Sequence, residues 1–171
     1  GQRWFMGAGL FATGLLNVVF AFGESLTLLL AVWTLNGFFQ GWGWPPCARL
    51  LTHWYSRNER GFWWGCWNMS INIGGAIIPL ISAFAAHWWG WQAAMLAPGM
   101  ISMASGIWLT LHLKGTPREE GLPSVGAWRN DPLELRQERQ SPPMGLWQML
   151  RTTMLKNPMI WLLGVSYVLV Y

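Results

Sequence analysis

Residues 60–75 read RGFWWGCWNMSINIGG, and this stretch decides which class of fold the chain adopts. After Arg60, which closes a charged cluster, the chain contains no Asp, Glu, Lys or Arg until Lys114. Within the stretch, Asn68 and Asn72 are four residues apart and therefore share one face of a helix. A polar amide at membrane depth is costly unless it meets a partner or lines a cavity. The stretch therefore predicts a membrane helix that carries a polar face.

The composition indicates the same class of protein. Only 11% of the residues are charged and 53% are hydrophobic, whereas a soluble domain has about 25% charged residues. The basic residues behind the net charge of +4 cluster at the ends of apolar runs, as topology signals do, and do not suggest nucleic-acid binding. Cys47 and Cys66 have neither metal-binding nor disulfide spacing, so we expect free thiols and no metal site.

Four apolar runs are long enough to cross a bilayer. The Pro45–Pro46 pair predicts a kink or an end late in the second run. Basic residues occur only in alternate connections, and the positive-inside rule makes that side cytoplasmic. The runs, all without Asp, Glu, Lys or Arg, are residues 4–22, 26–47, 62–86 and 91–113.

Residues 114–157 have a different character, with prolines and mixed charges, and predict a cytoplasmic central loop. Residues 146–155 within it are either an amphipathic helix at the membrane surface or plain solvated linker. Residues 158–171 begin another apolar run that is too short to span a bilayer. We therefore expect the chain to be an internal fragment of a longer protein.

Two helix faces combine glycines with amides at three- and four-residue spacing. These amides either join helices, at about 0.6 kcal/mol per interhelical hydrogen bond, or face an aqueous cavity and donate to a polar solute. We expect Asn36 and Asn72 to join helices, and Gln40 and Asn68 to face the cavity. The faces consist of Asn36, Gly37, Gln40 and Gly41 in the second run, and of Gly61, Gly65, Asn68, Asn72 and Gly75 in the third.

The sequence does not favour an enzyme. Its three histidines lie at the ends of apolar runs, and no acidic residue occurs in the middle of a run. It contains neither a nucleophile elbow nor a phosphate-cradling loop before a helix. We expect no catalytic residue and no cofactor.

The order of residues in 60–75 resembles the signature of the organophosphate:phosphate antiporter family of the major facilitator superfamily. That signature runs Arg-Gly, five residues, Trp-Asn, two residues, His-Asn, an aliphatic residue and Gly-Gly. Every fixed position matches here except Ile71, which stands where the family has His. Residues 36–47, 52–61 and 121–131 also resemble the family, and the loops are most similar to its hexose-phosphate sensor and transporter branch.

The resemblance implies an all-α, polytopic membrane protein with two six-helix halves in a bacterial inner (plasma) membrane. Residues 1–113 would supply helices three to six, and residues 158–171 would begin the second half. The implied function is exchange of a sugar phosphate or glycerol phosphate for inorganic phosphate. The alternative is a receptor that senses external hexose 6-phosphate and signals to a sensor histidine kinase. The positions that match the family's pocket are Gln40, Trp44, Asn68, Ile71 and Asn72.

Ile71 keeps the choice between carrier and sensor open. An imidazole can donate to a phosphate oxygen and carry charge near neutral pH, and isoleucine can do neither. Either the ligand differs, or other residues hold the phosphate, or the protein senses more than it transports.

Overall fold

A computed structural model of the protein describes residues 1–140 and 157–170, which divide into two compact units, Gly1–Arg129 and Asn130–Tyr171. Every regular element within the described residues is helical, so the prediction of an all-α fold is confirmed. The first unit contains α1 (Gln2–Ala21), α2 (Leu26–Gln40), α3 (Trp44–Trp54), α4 (Arg57–Trp89), α5 (Trp91–His112), a 3₁₀ helix (Pro117–Glu120) and α6 (Val125–Trp128). The second unit contains α7 (Pro132–Gln140) and α8 (Pro158–Val170).

Within the described residues, three helices, α1, α4 and α5, are long and apolar enough to cross a membrane. They cover the predicted spans 4–22, 62–86 and 91–113 except for one residue at the end of the first and of the last, because each run is uninterrupted by charge. Pro79 and Pro98 lie inside α4 and α5 without ending them.

The second predicted span, residues 26–47, is not one helix. The structure ends α2 at Gln40, passes through a turn at residues 41–43, and begins α3 at Trp44. Pro45 and Pro46 lack the backbone N–H groups that would continue the α2 ladder, but they are tolerated in the first turn of a new helix. The break therefore falls before the prolines, and α3 runs on past the predicted boundary to Trp54.

Helices α1 and α5 pack through two reciprocal glycine contacts. A Cβ added at Gly14 would lie 2.5 Å from the carbonyl oxygen of Gly99, and one added at Gly7 would lie 2.8 Å from that of Gly106. Between these contacts, the Ser102 hydroxyl donates to the carbonyl oxygen of Leu10 at 2.8 Å. Small residues that allow such close backbone approach are the usual basis of helix packing in membranes.

Gly37 and Gly41 have the small-xxx-small spacing that lets another helix approach closely, so the sequence predicts such an approach at this pair. Cβ atoms added at Gly37, Gly61 or Gly65 would meet no atom within 4 Å in the part of the chain that the structure describes. Within those residues Gly37 therefore makes no close contact with another helix. The close approach instead involves glycines seven residues apart, Gly7 and Gly14 on α1 and Gly99 and Gly106 on α5. The small-xxx-small motif pairs residues that are four apart.

The connections that carry basic residues meet at one end of the first unit. Arg60 donates to the backbone carbonyls of Tyr55 and Thr52, which closes the turn between α3 and α4. The indole N–H of Trp54 donates to the carbonyl oxygen of Lys114 at 3.2 Å, and the Arg129 guanidinium pairs with the Glu59 carboxylate. The start of the predicted central loop is thus tied to the ends of α3 and α4.

Each helix of the second unit begins after a residue whose side chain caps it. The Asp131 carboxylate accepts from the backbone N–H of Leu133 at 2.9 Å and so begins α7. The Asn157 side chain accepts from the N–H of Met159 at 3.0 Å and begins α8, with Pro158 at the first helical position. The possible amphipathic helix at residues 146–155 lies outside the described residues and stays a prediction.

The α1–α5 contact can be tested with Gly14→Val in the full-length protein. The added side chain would overlap the Gly99 carbonyl and the Met103 side chain, whose Cγ would lie 2.6 Å from a Cβ at position 14. Overpacking of this kind costs about 1–3 kcal/mol. We expect a lower midpoint of thermal unfolding in detergent.

Ala8→Val is the matched control, because Ala8 lies on the exposed side of α1. It should leave the unfolding midpoint unchanged. An unchanged midpoint for Gly14→Val as well would contradict the close approach of α1 and α5.

Candidate functional site

A chain of amides crosses from α1 to α2. The Asn36 side chain, only 3% exposed, donates from Nδ2 to Asn17 Oδ1 at 2.6 Å and to the carbonyl oxygen of Thr13 at 3.4 Å. Its own Oδ1 accepts from Gln40 Nε2 at 3.0 Å. Every hydrogen-bonding atom of the Asn36 side chain is therefore used, which removes the cost of burying this amide. The prediction that Asn36 joins two helices is confirmed.

Gln40 occupies the opposite end of this chain of amides. It is the last residue of α2, it is exposed, and its one side-chain hydrogen bond within the described residues goes to Asn36 on the preceding turn. The buried end of the chain is thus anchored on α1, and the exposed end opens beside the break between α2 and α3. That position suits contact with a polar solute, so the predicted binding role of Gln40 stays a prediction with a suitable geometry.

Two tryptophans on either side of the break hold it between neighbouring helices. Trp42, in the turn, stacks on Phe5 of α1 with ring centroids 4.4 Å apart and an interplanar angle of 6°. Trp44, at the start of α3, lies edge-on against Trp67 of α4 at 4.4 Å and against Trp64 at 6.3 Å. These aromatic contacts fix the place of the turn between α1 and α4.

Trp44 thereby reaches the face of α4 that carries the predicted site residues. Trp64, Trp67, Asn68 and Ile71 are spaced by three and four residues, so they share one helix face. Ile71 is 50% exposed, and its side chain borders the open strip of α4 glycines. The contacts of Trp44 with Trp64 and Trp67 therefore place the start of α3 at one end of this open face of α4.

Asn72 bonds within its own helix. It is exposed and donates to the carbonyl oxygen of Asn68 at 3.3 Å, four residues back in α4. An i−4 bond of this kind is a local alternative open to a polar side chain on a helix. Within the described residues Asn72 makes no hydrogen bond to another helix, and its predicted role in joining helices stays a prediction.

The five predicted site residues fall into two groups. Gln40 belongs to the amide chain on α1 and α2, whereas Trp44 belongs to the aromatic cluster at α4. Asn68, Ile71 and Asn72 line the adjoining face of α4. Within the described residues the Gln40 side chain bonds to Asn36, and no hydrogen bond joins it to α4.

Sequence reasoning missed the partners that hold these groups. By its place in the sequence Asn17 looks like a packing residue, yet it is the acceptor that anchors Asn36. Trp64 fits an aromatic belt at the inner interface by the same reasoning, yet it contacts Trp44. For Trp42 the signal is the concentration of aromatic residues directly before the double proline, which marks a break that needs packing.

A separate apolar cavity of about 260 Å³ lies at the end of α3. None of its lining residues is charged, so it is a poor candidate for a phosphate-bearing ligand, which requires cations or N–H donors. It is lined by Trp54, Pro117, Leu122, Pro123, Val125 and Trp128.

Long apolar helices joined by short turns, with amides at a helix break, define a polytopic membrane protein. The Major Facilitator Superfamily matches residues 1–171, and the chain belongs to that superfamily. The resemblance drawn from residues 60–75 is confirmed.

The curated relatives carry names that concern sugar and glycerol phosphates. The chain is 50% identical to "Membrane sensor protein UhpC" of Escherichia coli and 42% identical to "Probable hexose phosphate transport protein" of Chlamydia pneumoniae. It is 32% identical to "Glycerol-3-phosphate transporter" of Bacillus subtilis. Each match covers 99% of this chain but only 38–39% of the relative, so the chain spans under two-fifths of their length.

The aromatic contact at the break predicts that Trp44→Ala destabilises the protein. Edge-on aromatic pairs contribute about 0.5–1.5 kcal/mol each beyond the area they bury. We expect a lower midpoint of thermal unfolding for the full-length variant in detergent.

Trp91→Ala removes a tryptophan of similar exposure, 54% against 51% for Trp44, from the start of α5. It should lower the unfolding midpoint less. Equal effects of the two substitutions would argue that Trp44 contributes only surface area and not a specific contact with α4.

Proposed function

We propose that the full protein exchanges a phosphorylated sugar or polyol for inorganic phosphate across a bacterial inner membrane. The observation that carries this proposal is the similarity along 99% of the chain to proteins named as hexose phosphate and glycerol-3-phosphate transporters. The polar groups at the break between α2 and α3 support it, because a carrier for a polar solute needs such groups at membrane depth. We expect transport without catalysis and without a cofactor.

In this proposal Gln40, Trp44, Asn68, Ile71 and Asn72 border the path of the solute. Three of them carry amides, and one is a large aromatic ring that narrows the path. None carries a cation. The phosphate group of the ligand is therefore held mainly by residues outside this set, and the set contacts the rest of the ligand.

The transport proposal is tested with the full-length protein in liposomes loaded with inorganic phosphate. We expect uptake of labelled hexose phosphate that depends on internal phosphate, and efflux of labelled phosphate that depends on external hexose phosphate. Empty liposomes are the control. Neither uptake nor counterflow under any gradient would contradict the proposal.

The second candidate function is reception of external hexose 6-phosphate with signalling to a membrane histidine kinase. It is favoured by the 50% identity to a protein named as a membrane sensor. Transport and reception both depend on a ligand that shifts the balance between conformations of one scaffold, so they place the same demands on the site.

Deletion of the gene separates the two functions. If the protein is a receptor, deletion abolishes the induction of sugar phosphate uptake genes by external hexose 6-phosphate, and a plasmid copy restores it. Unchanged induction after deletion would contradict reception and leave transport as the function.

Position 71 supplies a gain-of-affinity test. Ile71→His would place an imidazole on the exposed face of α4, where it could donate a charge-assisted hydrogen bond to a phosphate oxygen. Such a bond contributes about 1.5–3 kcal/mol. We expect the affinity of the full-length protein for phosphate-bearing ligands to rise about tenfold or more, measured by equilibrium binding.

Ile73→His is the matched control, because Ile73 has a similar exposure, 54%, but lies two residues on and therefore faces away from position 71. It should leave the affinity unchanged. If Ile71→His also leaves it unchanged, position 71 does not face the ligand.

A further inference from the structure

The orientation of the Asn36 amide is determined by a group that can only accept. One atom of this amide lies 3.4 Å from the carbonyl oxygen of Thr13, and a backbone carbonyl has no proton to donate. The atom facing α1 must therefore be the Asn36 nitrogen. The same nitrogen lies 2.6 Å from Asn17 Oδ1, and its second proton serves that bond.

The orientation of Gln40 follows from that of Asn36. With its nitrogen turned to α1, Asn36 presents Oδ1 to the next turn of α2, and the Gln40 atom 3.0 Å away must be the nitrogen. The carbonyl end of the Gln40 amide consequently points away from Asn36. Because Gln40 is exposed at the end of α2, Oε1 and the second Nε2 proton are the groups that it can offer to a ligand.

We propose that Gln40 recognises a hydroxyl group of the sugar or polyol and not the phosphate group, and that Asn36 is the positioning residue that enforces this choice. The inference rests on the proposed function and adds the chemical group that one site residue reads. A hydroxyl can donate to Oε1 and accept from the second Nε2 proton, so it matches both groups that Gln40 has beyond its bond to Asn36. An ionised phosphate oxygen can only accept, so it can use that N–H but leaves Oε1 facing another acceptor. A site built to hydrogen-bond a hydroxyl discriminates strongly against an analogue that lacks it.

The first test measures binding of glucose 6-phosphate, its singly deoxygenated analogues and inorganic phosphate to the full-length protein. For the wild-type protein, one analogue should bind about tenfold more weakly than the parent. Gln40→Met keeps the length of the side chain but removes the acceptor. It should bind the parent and that analogue with equal affinity, and its affinity for inorganic phosphate should change less than about twofold.

Three results would overturn the inference. Gln40→Met could weaken the binding of inorganic phosphate and of glucose 6-phosphate equally, which would mean that Gln40 contacts the phosphate group. It could leave every affinity unchanged, which would place Gln40 away from the ligand. The wild-type protein could bind the parent and all analogues equally, although it binds them well. Failure of the wild-type protein to bind any sugar phosphate is a different result and would overturn the proposed function itself.

The second test concerns Asn36. Asn36→Leu removes the acceptor for Gln40 Nε2, so the Gln40 amide can turn its N–H groups outward. Discrimination against the deoxygenated analogue should fall from about tenfold to less than about threefold. Asn17→Leu removes one acceptor on α1 but leaves the Thr13 carbonyl, which still turns the Asn36 nitrogen toward α1, so it should retain the discrimination.

The ratio of affinities distinguishes positioning from a structural role, because a general loss of structure would weaken the parent and the analogue together and leave their ratio unchanged. Equal discrimination in Asn36→Leu and Asn17→Leu would overturn the role of Asn36. If Asn36→Leu does not yield a monodisperse protein, loss of the discrimination in Asn17→Leu, in which the Thr13 carbonyl still orients Asn36, is the result that overturns it.

Discussion

An amide on an apolar helix has no water to bond in the interior of a membrane, and its donors and acceptor must all be satisfied by protein. Asn36 meets that constraint on both sides, with Asn17 and the Thr13 carbonyl on α1 and with Gln40 on α2. An interhelical hydrogen bond in a membrane contributes only about 0.6 kcal/mol on average. Leaving one donor or acceptor unpaired costs about 1–3 kcal/mol. The need to pair every donor and acceptor therefore fixes the orientation of the Asn36 amide and adds little to the free energy of unfolding.

Packing supplies the stability that the amides do not. Apolar lipid offers helices no hydrophobic reason to associate, so close backbone contact carries most of the energy. The reciprocal glycine contacts between α1 and α5 provide it at one interface. Trp42 against α1 and Trp44 against α4 provide aromatic contacts on the two sides of the turn at residues 41–43. Because both flanks of the turn are held, the exposed end of the amide chain is held at the break as well.

Much of the fold could be predicted from the sequence, since the three long spans are runs without charge and their ends are marked by capping or glycine. In the second span the double proline predicts a kink or an end, and the structure has a break there. The exact position of the break could not be predicted, because it also depends on aromatic partners in α1 and α4. The pattern of glycines also misled the prediction. Gly37 and Gly41 match a known packing motif, whereas Gly14 and Gly99 make the close contact.

The candidate site, like the fold, could be predicted only in part from the sequence. The cost of an amide at membrane depth pointed to Gln40 and to Asn68 on α4. The family resemblance pointed to Trp44 and to the rest of the α4 face. Sequence spacing places Asn36 and Gln40 on one face of α2 but says nothing of Asn17, which lies on another helix. The direction of these hydrogen bonds depends on how Asn36 lies relative to Asn17, Gln40 and the Thr13 carbonyl. It can be read only from a structure in which α1 and α2 are packed together.

The most direct test of this account is a structure of the full-length protein with a bound hexose phosphate, at a resolution that defines the sugar ring. The account predicts that Gln40 Oε1 lies within about 3 Å of a sugar hydroxyl, a normal hydrogen-bond distance, with Gln40 Nε2 still bonded to Asn36. A phosphate oxygen bonded to the Gln40 amide, or a sugar beyond the reach of Gln40, would contradict it.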